Sequence, residues 1–270
     1  MIESQPIVAA PHLKRIGNSI QHLQSVTSTN LVLGKMIENQ ALSPIAEGFV
    51  LVADEQTAGR GQGNRVWVSP RGKGLWFSVF LKPEISAEQI YLVTWIGAVA
   101  VAEVVKQKYN LKVMIKWPND VHVDGRKFCG ILTQSSLHGK NVESVILGIG
   151  INLNQQEKEI NQSYGPIASS LQIILKRQID AKQIFSALLS ELDQQYELLV
   201  IGNGGSIIKK WKEFATFLGQ RVTIVQDKSA YEGIAEDIDN RGGLILTLNN
   251  GTKKTFYSGD LFFNSGNKNG

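Results

Sequence analysis

Four short segments of this 270-residue chain carry residue types suited to chemistry on anions. The first, 54–67, reads DEQTAGRGQGNRVW, with Gly59, Gly61 and Gly63 bracketing Arg60 and Gln62 and with Arg65 close behind. Glycine lets successive backbone N–H groups turn toward an oxyanion, and the two arginines supply countercharge. The segment therefore reads either as an anion site or as a flexible surface loop. Its glycine spacing matches neither the Walker loop nor the dinucleotide fingerprint. The second segment, 116–120 (KWPND), puts Lys116, an indole, a proline, Asn119 and Asp120 at a strand end. Pro118 favours an extended Trp117, so Asn119 and Asp120 begin a turn. That carboxylate is either a candidate to hold Mg²⁺ on a triphosphate or part of an ordinary turn beside a solvated lysine.

The third segment, 125–130 (GRKFCG), sets Arg126 and Lys127 ahead of an apolar run. Strict strand alternation groups Lys127 with Cys129 and Ile131 on an otherwise apolar face. A lysine directed into a pocket is an electrostatic partner for a carboxylate or phosphate oxygen, whereas a hairpin lysine is commonly solvated surface. Cys129 reads as a small core residue, because no His or acid is paired with it for activation. In the fourth segment, 147–154 (LGIGINLN), Gly148 and Gly150 interrupt a strand and Asn152 stands at its end. Strand glycines mark close approach of another backbone or of a ligand. The histidines at 12, 22, 122 and 138 lack zinc spacing, and no serine nucleophile elbow is present.

The elements that must position these segments follow from periodicity. A strand is expected at 20–26, then a helix to about residue 38 capped by Thr27, Ser28 or Thr29. Strands follow at 48–53 and 74–81, a long helix at 87–109, a strand at 113–117, a hairpin at 121–128 turning at Asp124 and Gly125, and strands at 130–135 and 144–153. Helices at 181–200 and 206–218 precede short strands at 221–225, 232–238, 244–248 and 253–257. The expected organisation is an N-terminal tail (1–19), an α+β catalytic domain (20–218), a small β-barrel (219–263) and a disordered tail (264–270).

Composition narrows the function. The net charge is +4, and Arg60, Arg65, Arg71, Lys73 and Lys82 lie in a stretch, 56–82, without a single acid. Charge focused on one loop region suits a small anionic ligand better than a long duplex, and the balanced C-terminal charge argues against a nucleic-acid module. The apolar stretch 90–105 falls short of the roughly 20 residues of a bilayer span and reads as a buried helix. With one cysteine and no leader-like N-terminus, the chain is expected in the cytoplasm, with no membrane partner.

Together with Ser28-Thr29-Asn30, the four segments resemble the biotin protein ligase family in order and approximate spacing over 20–261, ending in GIAEDIDNRGGLIL. The resemblance is to the short form without an N-terminal DNA-binding domain, since fewer than 20 residues precede the first strand. It implies a mixed-sheet, class II synthetase-like catalytic domain with an SH3-like C-terminal barrel. It also implies ATP and Mg²⁺ as cofactors, biotin as substrate, a biotinyl-5′-AMP intermediate and a biotin carboxyl carrier protein (acetyl-CoA carboxylase subunit) as partner. Monomer and homodimer both stay open. Carried over by position, Ser28, Thr29 and Gln56 would contact the ureido ring, Asn30 would support them, and Gly59, Arg60, Gly130, Gly148 and Gly150 would close around ring and side chain. Arg60, Arg65 and Trp67 would meet phosphate and adenine, Lys116, Asn119 and Asp120 the triphosphate and Mg²⁺, and Asn152 the adenylate. Lys127, with Arg60, would be catalytic, lying between the biotin carboxylate and the α-phosphate. Two anions must meet in such a reaction, and fixed positive groups offset their repulsion. One departure is Gln62, where the family commonly has a further arginine. A lipoate or octanoate ligase of similar fold would keep a lysine like Lys127, but is not expected to carry the other segments with the barrel.

Overall fold

The computed structural model describes residues 13–39, 44–164 and 167–263. Most of the two tails expected from the sequence, 1–12 and 264–270, lies outside them. Seven strands form the main sheet: β1 (Ile20–Val26), β2 (Val50–Gln56), β3 (Gly74–Leu81), β4 (Val113–Lys116), β5 (Asp120–Val123), β6 (Arg126–His138) and β7 (Asn141–Asn152), in the order β1-β2-β3-β7-β6-β5-β4. Only the β1/β2 pair is parallel. The expected 130–135 strand is the continuation of the hairpin's second arm, so β6 is a single 13-residue strand. Its hairpin with β5 turns on Asp124 and Gly125, both at positive φ (51° and 74°), as a tight two-residue turn demands.

The helices are α1 (Thr29–Glu38), α2 (Tyr91–Tyr109), α3 (Glu157–Ser163), α4 (Leu171–Leu175), α5 (Ala181–Val200) and α6 (Gly204–Phe214). A 3-10 turn, Ala87–Gln89, precedes α2. Asp180 caps α5 by accepting from the Lys182 and Gln183 amides. On one face of the sheet α2 is buried against β6 and β7 and beneath α5 and α6, with Leu147, Ile149 and Ile151 in the main core. Contrary to the sequence expectation, the 87–109 stretch is long and apolar enough to cross a membrane, and two-thirds of its most apolar window is buried within the fold. On the opposite face α1 covers Leu51 and Phe80 with its own Leu33. The rest of that face stays free for a ligand.

Strands β8 (Arg221–Gln226), β9 (Ser229–Ile238), β10 (Leu244–Leu248), β11 (Lys253–Phe256) and β12 (Asp260–Phe263) make an antiparallel sheet in the order β11-β10-β9-β8-β12, the SH3-like module. Its buried residues, Val222, Ile224, Leu244, Leu246 and Leu261 among them, are continuous with the main core. The junction is specific: the Trp117 indole donates to the Gly242 carbonyl (3.1 Å), the Tyr91 hydroxyl to the Asn240 carbonyl (3.3 Å), and Lys212 pairs with Asp237 (2.6 Å). Helices α3 and α4 and strand β12 have no counterpart among the elements expected from periodicity.

Candidate active site

The free part of the sheet face is organised by cross-strand register. Lys116 is opposite Asp120, Asp120 opposite Gly130, Gly130 opposite Gly150 and Gly150 opposite Trp76, a single row that crosses five strands. Charges occupy one end of the row and two glycines its middle. The next row sets Leu132 opposite Gly148 and Gly148 opposite Ser78. Missing side chains at 130, 148 and 150 hollow the sheet, and that hollow forms the floor of a cavity of about 340 Å³.

Lys127 reaches this face by an irregularity. Its partner is His122, while Cys129 pairs with Val121, so Phe128 is an extra residue in β6. Such a bulge breaks alternation. Phe128 and Cys129 are both buried in the main core, whereas Lys127 lines the cavity with Gly130. The expectation that Lys127 shares a face with Cys129 and Ile131 is thereby corrected. Burial pushes the Cys129 thiol far above the usual range, as a core residue requires. The Lys127 backbone is held from the other side, its N–H donating to the Ile167 carbonyl (2.7 Å) and its carbonyl accepting from Ser169 (2.8 Å).

At the charged end the Lys127 ammonium lies 2.6 Å from Asp120 Oδ1 and 5.2 Å from the centre of the Trp67 ring. Lys116 is buried, and its ammonium is held below the ordinary lysine value by that burial, with Asp120 partly offsetting the effect. The Phe262 ring of β12 lies 5.7 Å from Lys116. Arg65 pairs with Asp260 of β12 at 2.8 Å, so the C-terminal module walls one side of the cavity. Asp120, expected on Mg²⁺, is engaged by Lys127 through Oδ1, which leaves Oδ2 for a metal. No group of three or more His, Cys, Asp or Glu side chains suited to hold a metal occurs among the described residues. A divalent ion would arrive with its phosphates, which suits Mg²⁺, an ion that keeps most of its water and binds few protein carboxylates.

The glycine loop is a tight hairpin. Arg60 and Val66 form an isolated bridge, the Gly61 amide donates to the Arg65 carbonyl (2.7 Å) and the Trp67 amide to the Gly59 carbonyl (2.9 Å). These two amides are spent inside the loop and do not point at a ligand, while Arg60, Gln62 and Arg65 line the cavity. Gly59 itself does not line the cavity. A Cβ there would lie 2.3 Å from the Trp67 carbonyl, which makes glycine a requirement of the turn. The Trp67 indole projects over the floor, where a Cβ at Gly150 would stand 2.5 Å from Nε1 and one at Gly130 3.0 Å from the ring. Trp67 Nε1 is buried without a hydrogen-bond partner.

At the other end of the cavity α1 begins. Ser28 is its cap residue by position, yet its hydroxyl makes no capping bond, contrary to expectation. Instead the Thr29 amide donates to Gln56 Oε1 (2.8 Å), which leaves the Ser28 hydroxyl uncommitted. Asn30 donates to the Leu132 carbonyl (3.2 Å). Asn119 donates to the Ile131 carbonyl (2.5 Å) and Asn152 to that of Ser169 (3.0 Å), so these two amides tie neighbouring strands and loops as well as facing the cavity.

The cavity thus brings together Ser28, Thr29, Asn30, Gln56, Arg60, Arg65, Trp67, Lys116, Asn119, Asp120, Lys127, Gly130, Gly148, Gly150 and Asn152. Of the residues given a role by the family resemblance, Gly59 alone does not line it. Sequence reasoning missed Tyr164, Ile167, Asp260 and Phe262, which also line it. Asp260 and Phe262 come from a strand that had no periodic signal. Ser69 and Ser78, which bond to lining residues, were missed as well, although a lone hydroxyl in the apolar run GLWFSVFL was a visible signal for Ser78.

Comparison with known proteins agrees with this geometry. The profile of the biotin/lipoate A/B protein ligase family matches residues 22–152, and that of the biotin protein ligase C-terminal domain matches 217–263. The bifunctional ligase/repressor BirA of Bacillus subtilis is 33% identical over 246 residues, covering 91% of this chain and 74% of that protein. The biotin–[acetyl-CoA-carboxylase] ligase of Paracoccus denitrificans is 30% identical over 76% of this chain and 87% of its own length. Among solved structures, the biotin protein ligase of Aquifex aeolicus in complex with biotin and ATP superposes with a TM-score of 0.71 at 26% identity, covering 90% of this chain and 97% of that one. A cationic cleft on a glycine-hollowed sheet, joined to a C-terminal module of matching profile, therefore has a clear affiliation: the chain belongs to the biotin protein ligases of the biotin/lipoate A/B protein ligase family.

Proposed function

We infer that this chain activates the carboxylate of biotin with MgATP and transfers the biotinyl group to a lysine of an acceptor protein. The observation that carries the reading is that Arg60, Arg65, Lys116 and Lys127 line one cavity, opposite an end built of hydroxyl and amide groups. In the first step a biotin carboxylate oxygen attacks the α-phosphorus and pyrophosphate departs. In the second, an acceptor lysine amine attacks the acyl carbon of biotinyl-5′-AMP and AMP leaves with the bonding electrons.

Each residue then has a task. The two reacting groups are both anionic, so the fixed cations lower the barrier by offsetting repulsion as charge builds up on the phosphates. Lys127 sits between the hydroxyl end and the phosphate end and bridges carboxylate and α-phosphate once it exchanges Asp120 for them. Arg60 and Arg65 neutralise phosphate oxygens, Lys116, Asn119 and Asp120 serve the triphosphate and its Mg²⁺, and Trp67 and Asn152 flank the adenylate. Ser28, Thr29 and Gln56, supported by Asn30, take the ureido group over the floor made by Gly130, Gly148 and Gly150, while Gly59 allows the loop to turn. The glycine hairpin shields the mixed anhydride from water.

The acceptor in this reading is a biotin carboxyl carrier protein, in keeping with the acetyl-CoA-carboxylase in the name of the Paracoccus relative. Incubation with ATP, labelled biotin and a biotin carboxyl carrier domain tests the reading. Label on the carrier lysine is expected, and its absence with an active carrier overturns the proposal.

A further inference from the structure

Ser78 is fully buried, in the middle of β3, where every neighbour along the strand from 75 to 81 is apolar. A hydroxyl in such surroundings costs stability unless it is hydrogen-bonded, and a valine would suit the strand better. Its Oγ lies 2.7 Å from Thr29 Oγ1 and 2.6 Å from Asn30 Oδ1. Gly148, its cross-strand partner, supplies the room: a Cβ there would stand 2.1 Å from Asn30 Oδ1. Asn30 therefore spans three adjacent strands, resting on Gly148 of β7, bonded to Ser78 of β3 and donating to Leu132 of β6.

The ends of this network fix its direction. Asn30 Nδ2 donates to a carbonyl, so Oδ1 must accept, and it takes the single Ser78 proton. Gln56 Oε1 accepts from the Thr29 amide, so Gln56 Nε2 donates to Ser69 Oγ (2.8 Å), and Ser69 in turn donates to the Trp67 carbonyl (3.1 Å). The Thr29 hydroxyl proton alone has a choice of acceptor, between Ser78 Oγ and Gln56 Oε1 at 3.2 Å. With that proton on the nearer acceptor, Ser78 Oγ, the Thr29 oxygen has a lone pair free to accept from a ligand N–H without leaving a buried group unpaired.

We propose that Ser78 is a positioning residue for ligand recognition: it holds Thr29 and Asn30 so that the Thr29 hydroxyl oxygen is presented as an acceptor to a ring N–H of a cyclic urea, in a network that continues through Gln56 and Ser69 to the backbone at Trp67. The inference rests on biotin as the ligand of this cleft. Removing the Ser78 hydroxyl leaves Asn30 Oδ1 short of a donor and frees the Thr29 rotamer. The penalty falls on the ureido end and leaves the phosphate end untouched.

The test compares wild type, Ser78→Ala and Ser78→Cys by calorimetric titration with biotin alone and by steady-state pyrophosphate release. Ser78→Ala is expected to raise the biotin Kd and KM roughly 10- to 100-fold, the range for losing a buried hydrogen-bond partner, while KM for MgATP and kcat at saturating biotin stay within about threefold. Biotin affinity within twofold of wild type, or equal losses toward biotin and MgATP, overturns the proposal. If Ser78→Ala does not fold, Ser78→Cys, which keeps the side chain but weakens the donor, is expected to bind biotin with reduced affinity, and wild-type affinity in that variant overturns the proposal as well. A wild-type protein that fails to bind biotin removes the functional reading and this inference together, whereas an unaffected Ser78 variant removes this inference alone.

Discussion

Asp120 and Lys127, on adjacent antiparallel strands and 2.6 Å apart, neutralise one another at the charged end of the cleft. The lysine is three-quarters buried and the carboxylate more so, so neither charge is left to itself in a poorly hydrated site. Bringing in a carboxylate and a phosphate exchanges one anionic partner of Lys127 for another. The cation is thus held ready without being exposed.

Lys127→Ala is expected to lower the rate of biotin-dependent pyrophosphate release by at least about 10²- to 10³-fold, the scale for loss of a group that stabilises developing charge. Biotin still binds measurably, because the ureido end is untouched. An unaltered burst of pyrophosphate in the variant takes Lys127 out of the mechanism.

Gly150→Ala places a methyl group where the Trp67 indole now lies, 2.5 Å from Nε1. The strand tolerates alanine, since Gly150 is not among the glycines at positive φ. The indole must move, at an overpacking cost of about 1–3 kcal/mol. Expected are a shift in tryptophan emission and affinity for the biotin and ATP pair lowered by about tenfold or more, with the circular dichroism spectrum preserved. Wild-type emission and affinity would show that Trp67 does not rest on this floor in solution.

Arg65 and Asp260 form an exposed pair, and such pairs contribute about 0–1 kcal/mol. Asp260→Ala is therefore expected to leave Tm nearly unchanged, whereas Arg65→Ala raises KM for MgATP by about tenfold through loss of a phosphate partner. Parallel thermal melts and ATP titrations separate the two effects. Equal ATP affinities in wild type and Arg65→Ala would exclude Arg65 from phosphate binding.

His122 gives a signed pH dependence. Burial, partly offset by Asp120, lowers its pKa from 6.5 to about 4. Above pH 6.5 neither the folded nor the unfolded chain protonates this ring. As pH falls below 6.5 the unfolded chain takes up a proton that the fold refuses, so stability drops progressively to about pH 4, by up to about 3 kcal/mol. Melts between pH 4.5 and 7.5 are expected to show a steeper acid loss in wild type than in His122→Gln; equal slopes would mean that His122 titrates normally.

What could be read from the sequence depended on the range of the interaction involved. Helix α5 was legible to the residue because its apolar positions recur every three to four and Asp180 caps it, both local signals. Strand β3 was equally plain as an apolar run. The gathering of Arg60, Lys116 and Lys127 followed from family resemblance, since no local rule brings a loop and two strand ends together. The face on which Lys127 lies was misread, because the extra residue at Phe128 is visible only once β5 is paired beside it. Of the inward N–H groups expected of the glycine loop, that of Gly61 is consumed by the hairpin contact with Arg65, a pairing that no local signal announces. Strand β12 has just four residues and borrows its order from β8, so Asp260 and Phe262 carried no periodic trace.

That last strand has a practical consequence for handling the molecule. Asp260 and Phe262 belong to a four-residue strand at the edge of the small sheet, yet they furnish a wall of the reaction chamber. Because β12 is held in its sheet by pairing with β8 alone, damage to that pairing is expected to disturb the wall of the chamber before it disturbs the core, so assays of damaged preparations report on the wall as much as on the enzyme.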